Sequence, residues 1–177
     1  MGLDNEEVEK RVWEFSEMVG LSEKELKKSP FDLSGGKRRR AAIAGVMAMK
    51  PEVLILDEPA AGLDPAGREK IFNAVENYRR KENATIIIVS HSMEDMALRC
   101  DDMIVLENGK IAASGTKDEL FSCPEKLINA GLDVPEITRV AMIMSARGFD
   151  FGKPVYTVSD AADVLLPYLV KKGGEEL

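Results

Sequence analysis

The chain has 177 residues, of which 45% are hydrophobic and 31% charged, the composition of a globular protein with one domain or one domain and a small appendage. No apolar run approaches the ~18 residues that a membrane-spanning helix needs, and the acidic, polar N-terminus lacks the pattern of a signal peptide. The net charge of −7 disfavours a nucleic-acid-binding surface.

Capping residues predict three helices in the first fifty residues. Each helix follows a Ser or Asp whose side-chain oxygen suits a helix N-cap, and in the first two a Glu comes three residues later. These helices are separated or ended by Gly20, by a loop over 27–32 and by Pro51. The predicted helices begin after Asp4, Ser22 and Ser34, and the third ends near Met49.

The middle of the chain alternates strand and helix. Val53–Asp57 and residues 84–90 are short, apolar and β-branched, and both are predicted strands. Between them, Asp64 is an N-cap and Pro65 the first residue of a helix that runs to about Lys81. This alternation predicts a parallel sheet whose strands are buried on both faces.

After the second strand the pattern predicts a helix, a hairpin and then helices alone. The helix covers residues 92–99, and Asn108-Gly109 is the turn of an antiparallel hairpin at the edge of the sheet. Thr116 with Glu119 opens a short helix to Phe121. The hairpin strands are predicted at 103–106 and 110–114, and three further helices at 124–129, 135–146 and 159–170, in an extension with its own small core.

Two adjacent carboxylates, Asp57 and Glu58, follow the first strand. Open α/β sheets bind ligands at the carboxyl ends of their strands. There one carboxylate can hold Mg²⁺ through water and another can polarise an attacking water. The phosphate-binding partner of such a site is G-x-x-x-x-G-K-[ST], and the Gly-Lys pairs at 36, 109 and 152 do not fit it. Residues 1–177 therefore carry half of a nucleotide site.

Four motifs occur in a fixed order: LSGG (33–36), LILDEP (54–59), AGLD (61–64) and IIIVSHS (86–92). Together they resemble the motif set of ABC-transporter ATPases. Residues 38–68 and the extension past 121 resemble the ATPase subunits of energy-coupling-factor importers, which take up vitamins and transition metals. The resemblance implies an α/β fold, a partial P-loop NTPase (RecA-like) parallel sheet. The resemblance implies three segments. Residues 1–33 would form part of the ABC helical subdomain, residues 34–121 the C-terminal half of the ATPase core, and residues 122–177 a helical C-terminal extension.

The resemblance also implies roles for residues that act on the nucleotide of their own chain. Asp57 would hold Mg²⁺ through a coordinated water, and Glu58 would be the general base for the lytic water. His91, the only histidine, would be the switch histidine that senses the γ-phosphate. The alternative for Asp57 and Glu58 is a strand-end carboxylate that caps a neighbouring turn. The alternative for His91 is a structural residue.

A second group would act across a dimer interface. In the family, Ser34, Gly35 and Gly36 grip the γ-phosphate held by the opposite subunit, with Lys37 here in place of the usual Gln. The alternative for Ser-Gly-Gly is a plain N-cap after a loop. Asp64 can cap its helix and also couple the two sites. The basic run 37–40 is predicted to be a solvated face, or a face toward the partner's phosphates.

The implied protein binds ATP and Mg²⁺, pairs head to tail with a second ABC ATPase subunit (homo- or heterodimer), and hydrolyses ATP. It would work with a transmembrane coupling protein and a substrate-binding membrane protein, peripherally at the cytoplasmic face of the membrane. Selectivity for the transported substrate should reside in the membrane protein.

Two alternatives remain. A truncated pseudo-ATPase would supply only its signature motif, LSGG at 33–36, to a complete ABC subunit. DNA-repair ABC ATPases share LSGG and the acidic strand end, but the chain has no long coiled coil and is acidic. We further expect that Met1 is an internal methionine, that the P-loop precedes it, and that the isolated chain does not hydrolyse ATP.

Overall fold

The computed structural model describes residues 2–172, apart from the side chains of residues 125–126 and 168–172 within helices. The protein is of the α/β class and divides into two compact units at the junction of Val89 and Ser90. The predicted order of helices and strands is confirmed, with ends shifted by one or two residues. The elements are α1 (Asn5–Met18), α2 (Glu23–Leu26), a 3₁₀ turn (Pro30–Asp32), α3 (Gly35–Met47), β1 (Val53–Asp57), α4 (Pro65–Glu82), β2 (Thr85–Val89), α5 (Met93–Arg99), β3 (Asp102–Glu107), β4 (Lys110–Thr116), α6 (Lys117–Ser122), α7 (Pro124–Asn129), α8 (Glu136–Ala146) and α9 (Val158–Lys172).

The first unit packs three helices, α1, α3 and α4, against one face of β1 and β2. Phe15 of α1 and Tyr78 of α4 are fully buried, with ring centroids 5.7 Å apart. The Tyr78 hydroxyl donates a hydrogen bond of 2.8 Å to the Pro51 carbonyl, which ties α4 to the chain just before β1. The main core residues are Phe15, Val19, Ile43, Met47, Leu54, Leu56, Ile71, Val75 and Tyr78.

The strands β1 and β2 pair in parallel, as predicted, with Ile55 opposite Ile87 and Asp57 opposite Val89. Within the first unit, these strands are covered by helices on one face only. Leu54 is buried, whereas Ile55 is 63% exposed and Ile87 45% exposed. Successive side chains of a strand point to opposite faces. One face of this two-stranded sheet therefore packs on the helices, and among residues 2–172 the other face is open.

The second unit contains the β3–β4 hairpin and the last five helices that the described residues form. Asn108 and Gly109 both have positive φ (50° and 74°), as a two-residue hairpin turn requires. The hairpin was predicted as an edge of the first sheet, but in the structure it is a separate two-stranded sheet. A small apolar cluster joins α8, α9 and the loop between them, through Ala141, Phe151, Val155 and Ala161.

Candidate functional site

The carboxyl end of β1 turns sharply at Glu58. Asp57 is exposed at the last position of the strand, and the Glu58 amide donates a 2.8 Å bond to the Val89 carbonyl of β2. Glu58 then has φ +46°, a left-handed conformation that is uncommon for a residue with a β-carbon. Such conformations persist only where the surroundings hold them, and they cluster at functional sites. The structure thus places both predicted carboxylates at the strand end.

The segment after Glu58 is two overlapping turns. The Ala61 amide bonds to the Glu58 carbonyl and the Leu63 amide to the Ala60 carbonyl, each at 3.2 Å. Asp64 ends the segment, and its Oδ1 accepts a 2.6 Å bond from the Gly67 amide. Asp64 is therefore the N-cap of α4, as predicted.

The amino end of α3 carries the Ser-Gly-Gly motif. Ser34 occupies the N-cap position, but its side chain makes no capping hydrogen bond, contrary to the predicted cap. Gly35 is exposed, and a β-carbon there would meet nothing within 4 Å. A β-carbon at Gly36 would lie 3.1 Å from Cδ2 of Leu63. The two glycines therefore differ: Gly35 faces open space, and Gly36 lies in close contact with the loop before α4.

Lys37 is held within its own chain. Its Nζ lies 2.6 Å from Oε1 of Glu25. This bond, with bonds from the backbone amide and hydroxyl of Ser22, lowers the pKa of the Glu25 carboxyl to about 2. The pairing ties the start of α3 to α2. A contribution of Lys37 to phosphate binding stays a prediction.

The prediction that the basic run is a solvated face, or a face toward the partner's phosphates, is wrong for Arg40. Arg40 is buried, and its Nη1 donates to the carbonyls of Val19 and Gly20 at the end of α1. Arg39 is half-buried, and its Nη1 donates to the carbonyls of Glu58 (2.9 Å) and Ala61 (2.8 Å). Sequence reasoning missed Arg39, because nothing in a run of basic residues distinguishes one that reaches another element.

His91 lies in the second unit, two residues after β2 ends, and is exposed. Ser92 follows it as the N-cap of α5, where its hydroxyl accepts from the Asp95 amide at 3.3 Å. The role of His91 as a γ-phosphate sensor stays a prediction.

No three His, Cys, Asp or Glu side chains converge as metal ligands in the described part of the chain. Mg²⁺ needs fewer protein ligands, because it keeps several waters and takes substrate phosphates with one or two carboxylates. An exposed Asp57 at a strand end fits that mode.

The sequence of the chain is similar to those of known proteins. Residues 3–61 match the family of ABC transporters. The Energy-coupling factor transporter ATP-binding protein EcfA2 of Caldanaerobacter subterraneus is 47% identical over 169 residues, which are 96% of this chain and 59% of that protein. EcfA2 of Bacillus subtilis is 48% identical over 162 residues, 91% of this chain and 59% of that protein. The chain is similar to ABC transporter ATP-binding proteins along almost its whole length.

Solved ABC structures show the same fold. The chain matches cbiO1 from Clostridium perfringens, described as part of the ABC transporter complex cbiONQ. That match has a TM-score of 0.63 and 35% identity, and covers 82% of this chain and 56% of cbiO1. The dimeric bacterial ABC transporter cassette MJ0796 matches with a TM-score of 0.59 and 28% identity, over 66% of this chain and 50% of the cassette. The chain spans about three-fifths of the length of its curated ABC relatives.

Proposed function

We propose that this chain is the ATP-binding and ATP-hydrolysing subunit of an energy-coupling-factor-like importer. The observation that carries the proposal is the open space over Gly35 at the amino end of α3. A helix amino end presents unpaired amides and positive potential, which suit a phosphate that approaches from outside the chain. The names of the EcfA2 relatives support the same assignment.

In the proposed mechanism each nucleotide lies between two subunits. Asp57 would hold the Mg²⁺ that accompanies ATP, and when bound that ion would neutralise charge on the phosphates. Glu58 orients the lytic water and accepts its proton. Ser34 and the amides of Gly35 and Gly36 bind the γ-phosphate on the opposite subunit, and His91 senses that phosphate on its own subunit.

The proposed assembly is a head-to-tail dimer, with a second copy or with a related ABC subunit. It would couple to a transmembrane protein and a substrate-binding membrane protein, and drive uptake of a vitamin or metal ion. No helix of residues 2–172 is long and apolar enough to span a membrane. On this proposal the chain is peripheral, at the cytoplasmic face, and residues 122–177 form its C-terminal extension.

A complementation experiment tests the trans arrangement. The sample is residues 1–177 joined to the P-loop half of an ABC ATPase relative, as a dimer of two differently tagged copies; we call it the assembled ATPase. One dimer carries Ser34→Arg and Glu58→Gln in the same copy, and the other carries them in separate copies. Wild-type dimers and each single variant are the controls.

The proposal predicts that the same-copy dimer loses both sites, because each site then lacks either its base or its signature motif. The separate-copy dimer keeps one intact site and should hydrolyse ATP in a single-turnover assay. The reverse result, activity only in the same-copy dimer, would place Ser34 in cis and contradict the proposal.

A truncated pseudo-ATPase is the second candidate. In that case the 177 residues, which contain no G-x-x-x-x-G-K-[ST], would act only through the P-loop of their partner. It is tested by pairing the unextended chain with a complete ABC subunit. A pseudo-ATPase predicts that Ser34→Arg abolishes turnover by the pair while Glu58→Gln leaves it unchanged. If Glu58→Gln also lowers turnover, the pseudo-ATPase is excluded.

A further inference from the structure

Arg39 joins the signature helix to the turn that carries the proposed base. It lies on α3, five residues after Ser34, and its Nη1 donates to the carbonyl oxygens of Glu58 at 2.9 Å and Ala61 at 2.8 Å. Both bonds come from one nitrogen of a charged group. Hydrogen bonds from a charged donor are stronger than those between neutral groups.

These two carbonyls belong to the part of the chain that sets the direction of the Glu58 side chain. The Glu58 amide is fixed to the Val89 carbonyl of β2, and the Glu58 carbonyl accepts from both Arg39 and the Ala61 amide. The backbone of Glu58 is therefore held on both sides while its φ is +46°. A strained conformation of this kind needs contacts that hold it, and Arg39 supplies two of them.

The same helix touches the far end of the segment. A β-carbon at Gly36 would reach Leu63, so α3 and the loop before α4 are in close contact at a second point. The start of α3 and the Glu58 turn therefore have little freedom to move separately. Displacement of Arg39 would release the turn and leave Asp57 on β1 in place.

We propose that Arg39 is a positioning residue for Glu58. It holds the turn in the conformation from which the carboxylate reaches the lytic water, and it fixes that turn to the helix that begins with the signature motif. The inference rests on the proposed function of Glu58 as general base. It assigns Arg39 no contact with nucleotide.

The test uses three variants of the assembled ATPase. Arg39→Met removes the donors but keeps much of the apolar stem. Arg39→Lys is the conservative variant, since a single lysine nitrogen has enough donors to serve both carbonyls. Arg80→Met is the matched control, because Arg80 is an exposed arginine of α4 that pairs with Glu76. Each is measured for amide hydrogen exchange at Ala61 and Leu63, for kcat and KM of ATP, and for ATP binding.

For Arg39→Met we expect exchange at these amides to rise and kcat to fall by at least about tenfold each, with ATP binding unchanged. Arg39→Lys should recover most of both, and Arg80→Met should change neither. In a chain that already carries Glu58→Gln, adding Arg39→Met should lower turnover by less than about a further twofold. The reason is that the effects of residues that act through one another do not add.

Unchanged exchange and kcat in Arg39→Met would overturn the proposal. The proposal would also be overturned if Arg39→Met lowered turnover by the same fraction in the wild-type and Glu58→Gln chains. Equal losses are what general destabilisation of the protein would produce. If Glu58→Gln alone leaves turnover intact, the proposed function of Glu58 fails, and the positioning role for catalysis fails with it. The exchange at Ala61 and Leu63 separates these cases, because it reports the turn whatever Glu58 does.

Discussion

Gly36 of the signature helix and Leu63 of the loop before α4 approach so closely that a β-carbon on Gly36 would lie 3.1 Å from Leu63 Cδ2. Gly36→Ala should therefore displace Leu63, and this overpacking should make the substitution about 1 kcal/mol less favourable for the free energy of unfolding than it is without Leu63. Leu63→Ala in the same chain should cancel that loss relative to Leu63→Ala alone. Denaturant unfolding of the four chains checks this. An equal loss with and without Leu63 would show that the contact is not the cause.

Gly35→Ala is predicted to behave in the opposite way. Nothing lies within 4 Å of the added β-carbon, so the free energy of unfolding should stay within about 0.5 kcal/mol of wild type. On the proposed function, turnover by the assembled ATPase should nevertheless fall sharply, because the methyl group would occupy the space proposed for the opposite subunit's phosphate. Unfolding and ATP hydrolysis are measured on the same preparation. Full turnover in this variant would mean that Gly35 faces no ligand.

The Lys37–Glu25 pair should make stability depend on acid pH. Lys37 and Ser22 hold the pKa of the Glu25 carboxyl at about 2, below its usual value of 4.5. The folded state therefore gains stability above pH about 4.5, and this gain is lost as the pH falls toward 2. Glu25→Gln should lower stability at pH 7 and flatten its decline between pH 5 and 3.

Glu23→Gln is the control for that measurement. Glu23 also pairs with a lysine, Lys27, at 2.6 Å, but its side chain is 60% exposed. Exposed ion pairs contribute little to stability. Urea unfolding at several pH values should show a clear effect for Glu25→Gln and a small one for Glu23→Gln. Identical pH profiles for both variants would contradict the assigned role of the Lys37 contact.

The open face of the β1–β2 sheet should make the chain of 177 residues prone to aggregate by itself. Ile55 and Ile87 are opposite each other on this face, with Val53 and Val89 beside them. At ~25 cal/mol per Å², exposure of even ~200 Å² of apolar area costs about 5 kcal/mol, comparable with the stability of a whole domain. We expect low solubility and binding of a dye specific for apolar surface.

A comparison of Ile87→Ser with Phe31→Ser tests whether that face is responsible. Phe31 is 86% exposed, so by exposed area alone its loss should matter more. If the contiguous sheet face binds the dye, Ile87→Ser should lower binding further than Phe31→Ser. A cooperative melt above roughly 60 °C for the isolated chain would contradict the expected instability.

The sequence was sufficient to predict features that depend on neighbouring residues. The Asp64–Pro65 helix start, the Asn108-Gly109 turn and the Thr116–Glu119 capping box follow from local geometry, and the structure contains all three. The strand at 53–57 was also predicted with its bounds. In each of these cases residues within a few positions of one another determine the conformation.

Features that depend on distant partners were not predictable. An apolar strand such as VLILD has the same sequence whether one face is covered or both, so it does not show that Leu54 packs on the helices while Ile55 is 63% exposed. Arg39 and Arg40 are adjacent to two other basic residues, and their contacts lie about twenty positions away, at Glu58 and at Val19. Only the folded chain shows that these arginines serve carbonyl groups instead of solvent.

The most direct test of the central claim is the ATPase rate and nucleotide content of the Glu58→Gln variant of the assembled ATPase. Removal of the proposed general base leaves the groups proposed to bind ATP intact, so turnover should fall by about 10²–10⁴ while ATP binding persists. Size-exclusion chromatography should then show an ATP-dependent dimer that retains unhydrolysed nucleotide. Wild-type turnover in this variant, or an exclusively monomeric protein in the presence of ATP, would contradict the account.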